Sequence, residues 1–181
     1  MDIFSKLIAK KFKNIAGDRY EEITKRYREF LLLPEEFVLP EINSILIPID
    51  RFAHGIPSEL YETLEAYAGA SVTLVYVSES MAFRMIEQTL GKLEAEKLKI
   101  AERALGEKML TEIASSLNDI GLRVSKRHIF GSKSDVVIKL AEEFDLLVIS
   151  RGYGSEITKM SPLSPVVLKI VQHVVKPTII Y

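Results

Sequence analysis

A change of hydrophobic period, repeated along the chain, limits the fold more than any other feature. Short apolar runs stand at Ser44–Asp50 (SILIPID), Ser71–Val77 (SVTLVYV) and Asp145–Ser150 (DLLVIS), and Leu122–Phe130, after the turn at Gly121, and Pro177–Tyr181 read as further strands. They are strand-length and mostly rich in Ile and Val, which favours strands over helices. The segments between them carry helical spacing. Leu60, Leu64 and Tyr67 recur three and four apart within Ile56–Tyr67. Met81–Leu117 is long and helical, and Gly91 divides it because glycine is costly inside a helix. Ser134–Phe144, with Asp135 in its first turn, and Val166–His173 complete the set. The order β-α-β-α-β-α-β-α-β predicts a doubly wound parallel sheet with helices on both faces. The strands read as apolar on both sides, as buried parallel strands do.

Residues 1–43 read as an appendage and 44–181 as the core domain. Pro34 and Pro40 bracket a short extended stretch, because each disfavours a helical conformation in the residue before it. Residues 1–33 carry a net charge of +3, against -1 for the whole chain of 181 residues. Ile3, Phe4, Leu7, Ile8, Phe12 and Ile15 fall near one helix face among lysines; Gly17 stops that helix and Asp18 caps a second. The amphipathic segment Ile3–Ile15 has two fates open to it, docking on protein or lying on an anionic membrane.

There is no Cys, which removes disulfide scaffolds, cysteine zinc sites and thiol chemistry. The near-neutral charge gives no reason to expect nucleic acid as a partner. No apolar run approaches the ~18 residues of a membrane span, so a soluble cytoplasmic protein is expected, with membrane contact only through the appendage. On the long helix, Lys92–Glu96, Arg103–Glu107 and Lys108–Glu112 are opposite charges four apart and predict a solvated face.

In a doubly wound sheet, ligands bind beyond the carboxyl ends of the strands where strand order reverses. That places attention on Asp50, on Val77 and Ser78, on Gly131 and on Arg151–Gly154. Asp50 can accept hydrogen bonds from a ribose or base, or simply satisfy loop amides. Ser150–Ser155 (SRGYGS) carries Gly152 and Gly154, which permit left-handed turns and an anion cradle; the alternative is a plain glycine turn. Ser164 before Pro165 is a strong helix start, and that helix would aim its positive end at the same loop. His54, His128 and His173 lack metal-ligand spacing. His54 lies in the loop after Asp50, most simply on the surface.

Together these pieces resemble the universal stress protein family. The matching segments are Ile45–Asp50, Gly69–Val77, the long helical insert, Gly131 before a helix, Asp145–Gly154 (DLLVISRGYG) and Val175–Tyr181 (VKPTIIY). The resemblance implies a five-stranded parallel sheet of order 3-2-1-4-5, of the adenine nucleotide alpha hydrolase-like kind. It also implies a homodimer paired along the last strand, Thr178–Tyr181. Some members bind ATP, with Mg²⁺, through Gly-x-x-Gly, nine residues, then Gly-Ser. Here Gly154 matches the second glycine, Arg151 holds the first position with a glycine displaced to Gly152, and Ser164-Pro165 replaces Gly-Ser. Asp50 and Val77 match the adenosine side. The resemblance therefore nominates Asp50, Val77, Arg151, Gly152, Gly154, Ser155 and Ser164 as nucleotide-binding positions. Pro165 offers neither N–H nor hydroxyl, so two phosphate donors vanish, at a cost of roughly 100-fold or more in affinity. Arg151 could compensate as a bidentate ligand.

No Walker phosphate loop, HExxH, Gly-x-Ser-x-Gly elbow or kinase motif occurs. No catalytic residue is nominated. The expected function is a dimeric regulatory or binding module with weak or no ATP binding. The alternatives are an ATP-binding member with slow hydrolysis or nucleotide sensing, and an accessory module that touches a membrane protein or lipid through residues 1–33.

Overall fold

The computed structural model describes residues 41–52, 55–158 and 161–181, together with Arg19 and Glu22. The expectations for the helices at Ile3–Ile15 and after Asp18, and for His54, lie outside the described residues.

Five parallel strands form one sheet in the order β3-β2-β1-β4-β5. The strands are β1 (Ser44–Ile49), β2 (Ser71–Glu79), β3 (Arg123–Gly131), β4 (Leu146–Ile149) and β5 (Thr178–Ile180). The helices are α1 (Ser58–Glu65), α2 (Ser80–Leu90), α3 (Lys92–Asp119), α4 (Lys133–Ala141) and α5 (Pro165–His173). The predicted sheet and its order are observed. Gly91 separates α2 from α3 at φ +89°, a conformation that disfavours any residue with a Cβ.

Two apolar clusters form the core. One joins Ile45, Ile47 and Ile49 of β1 to Leu60, Leu64, Leu110 and Leu117 of α1 and α3. The other joins Leu46, Val75 and Leu147 to Val137, Val167 and Ile170 of α4 and α5. Alternate residues of one strand thus feed opposite faces, as the period of a β-strand requires.

Burial on both sides holds for β1 and β4 and for most of β2, but not for β3. Because β3 is an edge strand, Arg123, Ser125, Lys126 and Arg127 are exposed on it. Charged side chains on an edge discourage pairing with other chains. Of the three helix pairs expected at four-residue spacing, Lys108–Glu112 forms, at 3.9 Å. Glu96 instead meets Lys99 at 2.8 Å, and Glu107 meets Lys126 of β3 at 2.7 Å. The nearer lysine wins in the first case and the packing of α3 on β3 in the second.

Candidate functional site

The β1–β4 ladder pairs only Ile45 with Leu146 and Leu46 with Leu147. Pro48, which has no N–H to donate, lies beyond it on β1. The crevice expected at the switch point, where strand order reverses, opens past this short ladder.

Asp50 sits at its floor and is 1% exposed. Its Oδ1 accepts from the Phe52 amide at 3.0 Å, and its Oδ2 from the Gly154 amide at 2.8 Å. The same Oδ2 receives the Lys133 ammonium at 2.5 Å. One carboxylate thus joins the loop after β1, the start of α4 and the loop after β4. Asp50 thus satisfies loop amides, as one of the two readings open to it expects.

Lys133 was not legible as a site residue. It is the first residue of α4, it is buried, and its ammonium lies 4.9 Å from the centre of the Phe52 ring. A cation in the first turn of a helix opposes the helix dipole. That mismatch was the only signal in the sequence, and the compensating carboxylate lies 83 residues away.

The loop after β4 is equally self-contained. Tyr153 is fully buried and its hydroxyl donates to the Lys133 carbonyl at 3.4 Å. Burial, with Asp50 and Glu79 nearby, pushes its phenol well above the usual range, so it remains a donor. Gly154 adopts φ +89°, and a Cβ there would lie 2.5 Å from Val166 of α5. Gly152 differs from expectation. Its φ is not positive, and an added Cβ would meet only ordinary contacts, the nearest at 3.7 Å.

Ser164 is the predicted cap of α5. Its Oγ accepts from the Val167 amide at 3.1 Å and donates to the Tyr153 carbonyl, and its own N–H donates to the Arg151 carbonyl at 2.9 Å. The nominated positions therefore divide. Asp50 and Gly154 meet directly, with Ser164 one residue removed through Tyr153. Val77 is fully buried in the apolar cluster with Val75 and Tyr153. Arg151, Gly152 and Ser155 line a different cavity, of about 490 Å³, beside Pro57 and Tyr181.

A cleft of about 460 Å³ lies over the Asp50–Lys133 pair. Its walls are apolar: Ala82, Phe83 and Ile86 from α2, and Leu98, Ala101 and Leu105 from α3. Its polar margin is Arg51, Glu79, Glu102 and Lys133. Glu102 of α3 is buried. It accepts from Arg51 at 2.5 Å and from the Tyr76 hydroxyl at 3.0 Å. Burial and Glu102 both raise the Tyr76 phenol. Ser78 links this group to His128, whose Nε2 is 2.8 Å from its hydroxyl. Gly106 permits the approach of α3, since a Cβ there would come within 2.8 Å of the Tyr76 ring.

Burial holds His128 below its ordinary value of 6.5. The unfolded chain therefore takes up this proton more readily than the folded one. The contribution of His128 is complete above about pH 6.5 and is lost as pH falls through that value toward the folded pKa. Urea midpoints at about pH 7.5 and 5.5 should fall less for His128→Gln than for the parent chain; an equal fall would assign the change to other groups.

Among the described residues there is no group of three or more His, Asp or Glu able to hold a metal, and no helix long and apolar enough to cross a membrane. No protein-family model matches the chain, and no curated protein matches it. Solved structures do share its fold. The hypothetical protein MJ0577 superposes with a TM-score of 0.63 at 19% identity, over 78% of this chain and 96% of that one. A universal stress protein family member from Burkholderia pseudomallei gives 0.57 at 17%, over 79% and 98%. A universal stress protein in complex with cAMP gives 0.51 at 14%, over 78% and 98%.

Proposed function

We propose that this chain, which has the fold of the universal stress proteins, is a non-catalytic regulatory binding module whose nucleotide crevice no longer grips a polyphosphate. The observation that carries this reading is the state of the groups a phosphate would need. Both cations on the margin of the cleft are already matched, Lys133 by Asp50 and Arg51 by Glu102. The Gly154 amide is donated to Asp50, and the Ser164 hydroxyl is committed within the loop and cap. Glu79 accepts from the Met81 amide at 3.4 Å and the Lys133 amide at 3.2 Å, so a carboxylate occupies the starts of α2 and α4. Pro165 has neither an N–H nor a hydroxyl to offer. A triphosphate would have to break these contacts and lie beside Glu79 and Glu102.

A smaller adenine ligand is the second reading. It is supported by the structural neighbour that holds cAMP and by a cleft within the roughly 300–1,000 Å³ range of small-molecule sites. Slow ATP hydrolysis with Mg²⁺ lacks support in the disposition of these groups. β5 is an edge strand, which favours a homodimer paired along Thr178–Tyr181. A cytoplasmic location and an accessory role through residues 1–33 rest on sequence alone.

Titration calorimetry with ATP and Mg²⁺ tests the first reading. It should show no binding tighter than about 100 μM, and a micromolar isotherm would refute the loss of grip.

A further inference from the structure

We propose that the cleft between α2, α3 and the ends of β1 and β2 binds a monocationic ligand with an apolar or aromatic body, an aryl or alkyl amine in chemical class, with Glu79 as its charge partner. The inference deepens the reading above, since it rests on the cleft's being closed to phosphate.

The charge inventory carries it. Two cations, Arg51 and Lys133, line the cleft, and each is spent on a carboxylate, Glu102 and Asp50 respectively. Glu79 is the third carboxylate, and among the described residues it makes no ion pair. The cleft and its floor therefore hold two positive charges against three negative ones. The amides of Met81 and Lys133 donate to Glu79 and hold its carboxylate at the cleft margin. Arg84, Lys99 and Arg103 are not among the residues that line the cleft. They line a separate depression that shares only Phe83 with it.

The walls set the rest of the ligand. Phe52 and Phe83 present aromatic surface, and Ile86, Leu98 and Leu105 present aliphatic surface. Leu98 and Leu105 are more exposed than leucines in a closed core. An apolar body laid there removes this surface from water while its ammonium reaches Glu79. Aromatic faces add to the attraction for a cation and nothing for an anion. A carboxylate of the same shape would meet Glu79 and Glu102 instead.

Three probes of one shape separate these contributions: naphthylmethylamine, naphthylmethanol and naphthoate, each titrated calorimetrically into the full chain. The amine should bind at least about 10-fold more tightly than either of the others at low salt. Glu79→Gln, which retains a carbonyl acceptor, should bring the amine down to the level of the alcohol. Ala82→Phe, at an exposed position on the cleft wall, should weaken the amine and the alcohol together. Equal or tighter binding of naphthoate, an amine no better than the alcohol, a preference that survives Glu79→Gln, or no binding by any probe would each overturn the proposal. An ATP titration keeps the two readings apart. Micromolar ATP binding refutes the loss of phosphate grip, whereas failure of the amine with ATP also silent refutes only the ligand class.

Discussion

Lys133→Met is expected to lower the folding stability by about 3–5 kcal/mol, because it breaks a buried ion pair and leaves one charge uncompensated. The Lys133 side chain is 10% exposed and that of Asp50 1%, so neither is well solvated once folded. Asp50 keeps the amides of Phe52 and Gly154 in the variant but loses the ammonium that balances its charge. Lys133→Gln restores a neutral donor and should recover part of the loss. The measurement is the urea midpoint with its slope, compared at low and high ionic strength. An exposed pair would fade in salt, but the penalty here should persist. A cost below about 1 kcal/mol would place the pair with ordinary surface bridges and would remove the main support for a crevice filled by its own side chains.

The second large effect is at Gly154. Two penalties fall on Gly154→Ala. The left-handed backbone at φ +89° disfavours a Cβ by roughly 1–2 kcal/mol. Its new methyl would also stand 2.5 Å from Val166 Cβ and Cγ2, and overpacking of this kind costs about 1–3 kcal/mol. The sum is about 2–5 kcal/mol of lost stability. Gly152→Ala, two residues away, is the internal control. It has neither problem and should change stability by less than about 1 kcal/mol, with a gain possible from the stiffer unfolded chain. Thermal or urea denaturation of the two variants decides the matter, and equal losses would show that the loop as a whole, not the approach of Val166, sets the requirement for glycine.

The contrast between these glycines shows how far the sequence could be read. Two glycines after a strand signal a turn, but only the position of α5 tells which one is obligatory. The sheet was legible because each strand and helix announces itself locally, through period and β-branched composition. Its order came from resemblance and is observed. Asp50 and Ser164 were legible because a strand end and a Ser-Pro helix start are local signals too. Lys133, Tyr153 and Glu102 were not. Lys133 and Glu102 owe their burial to partners 83 and 51 residues away, and apart from the lysine's place in the first turn of a helix nothing in the neighbouring sequence marks either as buried. Val77 illustrates the reverse case: the strand expected to end there runs on to Glu79, and its side chain joins the apolar cluster with Val75 and Tyr153.

The end of the sheet carries a consequence of its own. The Tyr181 amide donates to the Ile149 carbonyl at 3.1 Å, and the Arg151 amide donates to the Tyr181 carbonyl at 2.7 Å. Those two bonds clip the outermost strand to the residues that lead directly into Gly154. A tug on that margin, such as one from a companion molecule, would be relayed to the Asp50 anchor through three residues of backbone, with no side chain needed as courier.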